Sequence, residues 1–252
     1  SGGGIQIILG ELMLENVNIL NNQTKFGGGM YIANSFASLL DVVLDNNSAE
    51  SKGGGLWIGN ESEVFCNKTI FSNNYSEGFG GGIFLSNSFI GLDKVTIVNN
   101  VISSAVTGAG VYADGGNALI TNSIVYYNRK INNDSNNYNL NGYSGDFFNE
   151  FQISYSDIEY PLSSQLNGLG IVSDIPEFTD PEVGAYDLMP SSPCIDSGNP
   201  DSVYDPDGTI SDMGALFFNQ NIYIGDANQD GMIDILDIVI LGGQPSTIHP
   251  IA

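Results

Sequence analysis

The residues with the clearest chemical potential lie near the C-terminus, between Asp226 and Asp237. Side-chain oxygens fall at positions 1, 3, 5, 9 and 12 of this twelve-residue stretch, Gly231 holds position 6, and a backbone carbonyl serves position 7. Calcium loops use this spacing, because hard oxygen ligands suit Ca²⁺ and the glycine permits the sharp turn. The sequence therefore predicts calcium as a cofactor, held by Asp226, Asn228, Asp230, Met232, Asp234 and Asp237.

A second group of carboxylates lies upstream of this loop, within 17 residues of one another. The group consists of Asp196, Asp201, Asp205, Asp207 and Asp212. Five acids this close together could form a second metal site. Aspartate and glycine also initiate turns without any metal, so both interpretations stay open.

The charge of the chain is strongly acidic and unevenly distributed. The formal net charge is −23, and all six Lys and Arg residues lie within residues 1–130, whereas residues 131–252 hold nineteen carboxylates. Phosphate binding requires clustered Lys and Arg, so nucleic acid is excluded as a partner. Direct insertion into a membrane is excluded as well. Divalent cations are one source of counter-charge for the second half, and a dispersed, well-solvated acidic surface is the alternative.

The elements that must position these residues repeat along the chain. Triple glycines begin at residues 2, 27, 53 and 80, a degenerate copy begins at residue 108, and pairs of asparagines recur in step with them. An apolar, variable, apolar triplet follows each glycine cluster, which indicates a strand whose first and third residues face inward. A fixed period of 25 to 28 residues predicts a solenoid, here with three short strands in each repeat.

The outward positions of the glycine-linked strands carry aromatic residues, namely Tyr31, Trp57, Phe84 and Tyr112. We expect these side chains to stack as an exposed row along the solenoid axis. Such a row could bind a polysaccharide, contact a protein such as a second copy of the chain, or only stabilise itself. At an inward position, Cys66 aligns with Leu14, Leu39 and Leu92, which predicts a buried apolar role. A disulfide to Cys194 is not favoured.

Three strands per turn with glycine and asparagine corners resemble the right-handed parallel β-helix of the pectate-lyase-like superfamily, over residues 1–175. Residues 176–220 look like the closing segment that follows β-helices in secreted bacterial surface proteins. The calcium loop within residues 221–252 resembles a dockerin type I repeat, although a dockerin carries two repeats and one is visible here. The fold class is therefore expected to be all-β, a solenoid with a small calcium-loop and helix appendage.

The resemblance to polysaccharide lyases and hydrolases raises the question of catalysis. Lyases of this fold imply Lys or Arg on outward strands, and hydrolases need carboxylates grouped on neighbouring coils. The outward aromatic row contains neither, so the sequence favours a non-catalytic role without deciding it. We expect an extracellular, calcium-binding structural or adhesive surface protein. Its first coil shows no cap, which suggests a fragment or head-to-tail assembly into filaments. The alternative is a polysaccharide-binding or polysaccharide-degrading protein.

Overall fold

The computed structural model describes residues 2–103, 108–131, 139–142, 151–159 and 168–220, and all regular structure in these ranges is β-strand. The chain divides into two compact units. The first comprises residues 1–205 and 209–218, and the second comprises residues 206–208 and 219–252. The predicted calcium loop and the helix after it lie outside the described residues.

The first unit contains a parallel β-solenoid of about five coils. Its first sheet is formed by the strands that follow the five glycine clusters and by a sixth strand that pairs with the last of them. These strands are β1 (Ile5–Ile8), β4 (Met30–Ala33), β7 (Leu56–Gly59), β11 (Ile83–Ser86), β15 (Val111–Asp114) and β19 (Leu140–Gly142).

The second sheet has two parts. In most coils a residue with positive φ lies between an earlier and a later strand of this sheet and separates them. The earlier part contains β2 (Glu11–Leu20), β5 (Phe36–Asp45), β8 (Glu63–Asn67), β12 (Phe89–Asp93), β16 (Asn117–Thr121) and β20 (Phe151–Ser154). The later part contains β9 (Ile70–Ser72), β13 (Thr96–Val98), β17 (Ile124–Tyr126) and β21 (Asp157–Ile158). In the second coil, β5 runs through both parts and pairs with β8 and β9.

A third parallel sheet follows the asparagine pairs. It contains β3 (Gln23–Phe26), β6 (Ser48–Lys52), β10 (Tyr75–Ser76), β14 (Val101–Ile102) and β18 (Arg129–Lys130). The sequence predicted three strand segments per repeat, and the third sheet adds a fourth. These strands are as short as two residues and largely polar, so they leave almost no hydrophobic period in the sequence.

The asparagine pairs form the corner between the second and third sheets. The first member of each pair takes a left-handed backbone conformation, with φ of 58° at Asn21 and 53° at Asn46 and Asn73. Asparagine tolerates this region better than most residues. The second members of the pairs, together with Asn128 and Asn139, form a ladder along the axis. Each side-chain amide donates to the next residue in the order Asn22, Asn47, Asn74, Asn100, Asn128 and Asn139.

The inward positions form one continuous core. The first and third residues of the glycine-linked triplets are fully buried in β4, β7, β11 and β15. Cys66 lies in register between Leu39 and Leu92 and is buried, as the alignment of repeats predicted. The glycines permit close approach of the coils at this corner, since a Cβ on Gly28 would lie 2.3 Å from the carbonyl oxygen of Gly54.

The segment after residue 175 was interpreted as a closing segment, and within the first unit its apolar residues pack against the side of the solenoid. It begins with an antiparallel pair, β22 (Phe178–Asp180) and β23 (Ala185–Leu188). Its apolar residues cover the outward face of β9, β13 and β17 and build a second hydrophobic cluster. The buried members of that cluster are Ile70, Val98, Ile124, Tyr126, Phe178, Tyr186, Leu188, Cys194, Met213 and Ala215.

Candidate functional site

The predicted aromatic row is present and its members lie in register on successive coils. Tyr31 stacks on Trp57 with ring centroids 4.2 Å apart and planes 3° from parallel, and Phe84 stacks on Tyr112 at 5.9 Å and 6°. Trp57 and Phe84 are related in the same way, at 6.4 Å and 16°. Because the ring faces are turned toward one another, the outer surface of the row presents mainly ring edges.

The row is also less exposed than the sequence predicted. Phe84 and Tyr112 are buried, and Phe79 contacts both rings. The ammonium group of Lys52 lies 4.4 Å from the centroid of the Phe84 ring, which adds a cation–π contact. Only Tyr31 and Trp57 remain half-exposed. The row was interpreted as a polysaccharide site, a protein contact or a stack that only stabilises itself, and this geometry favours the last of these.

The predicted second metal site resolves into hydrogen bonds that organise the C-terminal segment. Asp205 accepts from Nζ of Lys94 at 2.6 Å and from the backbone N–H of Asp212 at 2.7 Å. Asp212 in turn accepts from the backbone N–H groups of Asp196 at 2.8 Å and Phe218 at 2.6 Å. Burial, the largest cause, raises the pKa of Asp212 to about 6.

Two further candidate ligands of the second metal site are Asp201 and Asp207. Asp201 is exposed, and in the second unit Asp207 accepts from the backbone N–H of Gln220 at 2.8 Å. Within the ranges that the structure describes, no group of three or more His, Cys, Asp or Glu residues is arranged to hold a metal ion. The carboxylates of Asp205, Asp207 and Asp212 thus accept hydrogen bonds from the protein, and a second metal site at these residues stays a prediction. The predicted calcium ligands from Asp226 to Asp237 lie beyond the described residues.

A groove that sequence reasoning missed lies on the outward face of β5, β8, β12 and β16. Its volume is about 340 Å³. Phe65 forms one wall and is 40% exposed, and Gly91 leaves the space between Phe65 and Leu119 open. A Cβ on Gly91 would lie 2.9 Å from Cδ1 of Phe65, so a glycine here allows the phenyl ring to lean across β12. We call this feature the Phe65 groove.

Further aromatic rings extend the apolar wall of the Phe65 groove. Phe36 and Phe89 flank Phe65, with centroid distances of 6.0 and 5.6 Å and interplanar angles of 46° and 55°. Unlike the stacked row on the first sheet, these tilted rings do not cover one another's faces. Phe36 is 36% exposed, so part of its ring is open to solvent together with that of Phe65.

The opposite wall of the groove is polar. The carboxylate of Asp93 accepts from the side-chain amides of Asn67 at 2.9 Å and Asn122 at 2.8 Å, which fixes its orientation. Thr121 adds a hydroxyl group to the same wall. Burial raises the pKa of the Cys66 thiol, so that group stays neutral and Asp93 is the one charged side chain of the lining.

The sequence does contain a signal for this groove. Phe65, Gly91 and Leu119 occupy the same outward position of a strand in three successive repeats. An alignment of the repeats therefore places them in one column. The aromatic row on the glycine-linked strands has a more regular spacing in the sequence.

A second cavity, of about 320 Å³, lies between the solenoid corner and the C-terminal segment. The corner supplies Asp41, Lys68 and Lys94, which hold the same place on three successive coils and have φ of 51°, 48° and 52°. The C-terminal segment supplies Asp205 and Asp212, and Asp187 and residues 214–217 complete the lining. We call this the Lys94 cavity.

Comparisons with protein-family models, with curated proteins and with solved structures found no match to this chain. Among the described residues there is no helix long and apolar enough to span a bilayer. The function is therefore inferred from the arrangement of side chains on the solenoid.

Proposed function

We propose that this chain is an extracellular, non-catalytic surface module that binds a neutral polysaccharide in the Phe65 groove. The observation that carries the proposal is the exposed phenyl ring of Phe65, which lines one groove together with the polar side chains of Asn67, Asp93 and Thr121. Ligand sites combine apolar and aromatic surface with a few oriented polar groups in this way.

The two walls match the two kinds of surface on a sugar ring. The C–H face of a pyranose can lie against an aromatic ring, and its equatorial hydroxyls can bond the amide and carboxylate oxygens opposite. Because Asn67 and Asn122 already hold the Asp93 carboxylate in place, little side-chain freedom is lost when a hydroxyl donates to it. The groove crosses neighbouring coils, so an extended chain would meet equivalent positions on each.

The charges of the chain and of the groove determine which class of polysaccharide we expect to bind. The chain carries a formal net charge of −23, and the groove adds the carboxylate of Asp93 without a Lys or Arg in its lining. A polyanion such as a uronate polymer would be repelled both at long range and inside the groove. A neutral glycan avoids both costs, and this is the ligand class that we propose.

The predicted calcium loop fits an extracellular location. Loops of this kind in extracellular modules bind calcium at millimolar levels, which the outside of a cell supplies. We propose that Asp226, Asn228, Asp230, Met232, Asp234 and Asp237 bind one calcium ion and stabilise or dock the C-terminal tail.

Affinity electrophoresis in gels that contain soluble neutral or uronate polysaccharides tests the proposed binding. We expect retardation by at least one neutral glycan, and its loss in both Phe65→Ala and Gly91→Val. Phe65→Ala removes the aromatic ring of the groove, and Gly91→Val places a side chain in the groove. Trp57→Ala is the matched control, since it removes an aromatic ring from the other sheet and should leave retardation unchanged. Loss of retardation in Trp57→Ala alone would move the binding site to the aromatic row, and no retardation by any neutral glycan would refute the proposal.

A further inference from the structure

The Lys94 cavity holds a buried contact between two distant parts of the chain. Lys94 lies at the corner between β12 and β13, Asp205 lies in the C-terminal segment, and the two are 111 positions apart. Nζ of Lys94 is 2.6 Å from Oδ1 of Asp205, and the two side chains are 13% and 3% exposed. Charge-assisted N–H···O contacts are typically about 2.7–2.9 Å long, so this one is short as well as sheltered from water.

We propose that Lys94 and Asp205 react to form an intramolecular isopeptide bond, which ties the C-terminal segment covalently to the side of the solenoid. The bond would join Nζ of Lys94 to Cγ of Asp205. A buried amine and a buried carboxyl group in contact meet the first requirement of this condensation, because the fold holds the reacting groups together at high effective concentration.

The surroundings of Asp205 supply the second requirement, which is activation of the carboxyl carbon. Oδ2 of Asp205 accepts the backbone N–H of Asp212 at 2.7 Å. When an amine adds to Cγ, negative charge develops on this oxygen, and a donor already aimed at it stabilises that charge. The same N–H thus acts as a fixed oxyanion donor for the reaction.

Asp212 also offers a group that can carry protons within the Lys94 cavity. Its carboxyl group is held by the backbone N–H groups of Asp196 and Phe218, and it lines the same cavity as Lys94 and Asp205. Burial raises its pKa to about 6, so it exchanges protons readily near neutral pH. This side chain suits a proton relay between the attacking amine and the departing hydroxyl group.

The reaction balances without any further reactant. A proton moves from the ammonium group of Lys94 to the carboxylate of Asp205, which gives a neutral amine and a carboxylic acid. The nitrogen lone pair then attacks Cγ and forms the C–N bond. Asp212 accepts a proton from that nitrogen and returns it to the hydroxyl oxygen on Cγ. The C–O bond breaks, one water molecule leaves, and an amide remains.

Mass spectrometry of the intact, denatured chain tests the proposal directly. We expect a mass lower than that of the sequence by one water molecule, and a protease digest that contains one branched peptide joining the segments around Lys94 and Asp205. A chain whose full sequence mass persists after days at neutral pH would overturn the proposal, because the contact would then be only an ion pair.

Three variants separate the bond from the ion pair. Lys94→Arg keeps the positive charge but lacks a nucleophilic amine, so its mass should be the full sequence mass. Asp205→Asn should lose ammonia instead of water if it reacts, and a loss of water from this variant would contradict the assignment. Asp212→Asn keeps Lys94 and Asp205 in place, and slower appearance of the lighter species is expected from it. An unchanged rate in Asp212→Asn would overturn the proton-relay role alone.

Discussion

Asn74 and Asn100 occupy the same corner of two neighbouring coils, and Nδ2 of Asn74 donates to Oδ1 of Asn100 at 3.0 Å. The backbone N–H of Asn74 donates to the same oxygen, also at 3.0 Å. Asn47 repeats both contacts toward Oδ1 of Asn74, at 3.0 and 3.1 Å. Each asparagine thus satisfies two buried donors of the preceding coil, which is why an apolar residue of the same size cannot replace it.

We expect Asn74→Ala to destabilise the solenoid strongly. The substitution leaves the backbone N–H of Asn47 and the carbonyl of Leu44 without the partner each has in Asn74. An unpaired buried group costs about 1–3 kcal/mol, so the free energy of unfolding should fall by that amount for each. Urea denaturation measures the change. The control Asn117→Ala removes an exposed asparagine of β16 and should shift stability by less than about 0.5 kcal/mol. Equal effects of the two variants would show that the ladder adds no stability.

A buried carboxyl group should make stability depend on pH. Asp157 is fully buried, its Oδ2 accepts from the thiol of Cys194 at 3.3 Å, and no hydrogen-bond partner of its Oδ1 is found in the described residues. Desolvation by burial, the largest cause, raises its pKa to about 7 from 3.8, and the nearby carboxylates of Asp174 and Glu159 raise it further.

The sign of the effect follows from proton linkage. Between about pH 4 and pH 7 the folded state binds the Asp157 proton more tightly than the unfolded state does, so raising the pH through this window lowers stability. Each unit of pKa difference corresponds to about 1.4 kcal/mol. We expect Asp157→Asn to be more stable than the parent chain above pH 7, with the advantage disappearing toward pH 4. Asp212 titrates in both proteins, so the difference between their stability curves isolates Asp157. Parallel curves would contradict the prediction.

The predicted calcium loop gives a third test. Isothermal titration of the full chain with calcium should show one binding site, and Asp230→Ala should abolish it, since the residue at position 5 of the loop is a side-chain ligand. Saturating calcium at about 100 times the dissociation constant would add about 2.7 kcal/mol to whichever folded unit contains the site. Asp180→Ala, which removes an exposed carboxylate of β22, is the control. Binding that survives in Asp230→Ala would refute the assigned ligands.

Periodicity made much of the solenoid predictable from the sequence. Positions that recur at 25 to 28 residues must meet equivalent neighbours, so the glycine corners, the asparagine corners and the inward place of Cys66 followed from alignment of the repeats. The third sheet escaped the same reasoning. Strands such as Tyr75–Ser76 pair only two residues with each neighbour, and two residues cannot display an alternation of polar and apolar side chains.

Two features depend on tertiary packing, which no local sequence pattern reveals. They are the lateral position of the C-terminal segment and the contact of Lys94 with Asp205. One signal was nevertheless present. Ile70, Val98 and Ile124 are outward residues of the later part of the second sheet, and apolar side chains at outward positions on successive coils indicate a covered face. The Phe65 groove depends on a missing side chain at Gly91, which becomes meaningful only once the register of β8, β12 and β16 is known.

The stack of Tyr31 on Trp57 gives the molecule a built-in optical reporter. Trp57 is the single tryptophan of the chain, and the centroid of its indole lies 4.2 Å from that of the Tyr31 ring in a nearly parallel stack. Its ultraviolet emission and the near-ultraviolet dichroism of the pair should therefore register the opening of the second and third coils specifically. Loss of order in the C-terminal segment alone would leave that spectroscopic signal unaltered.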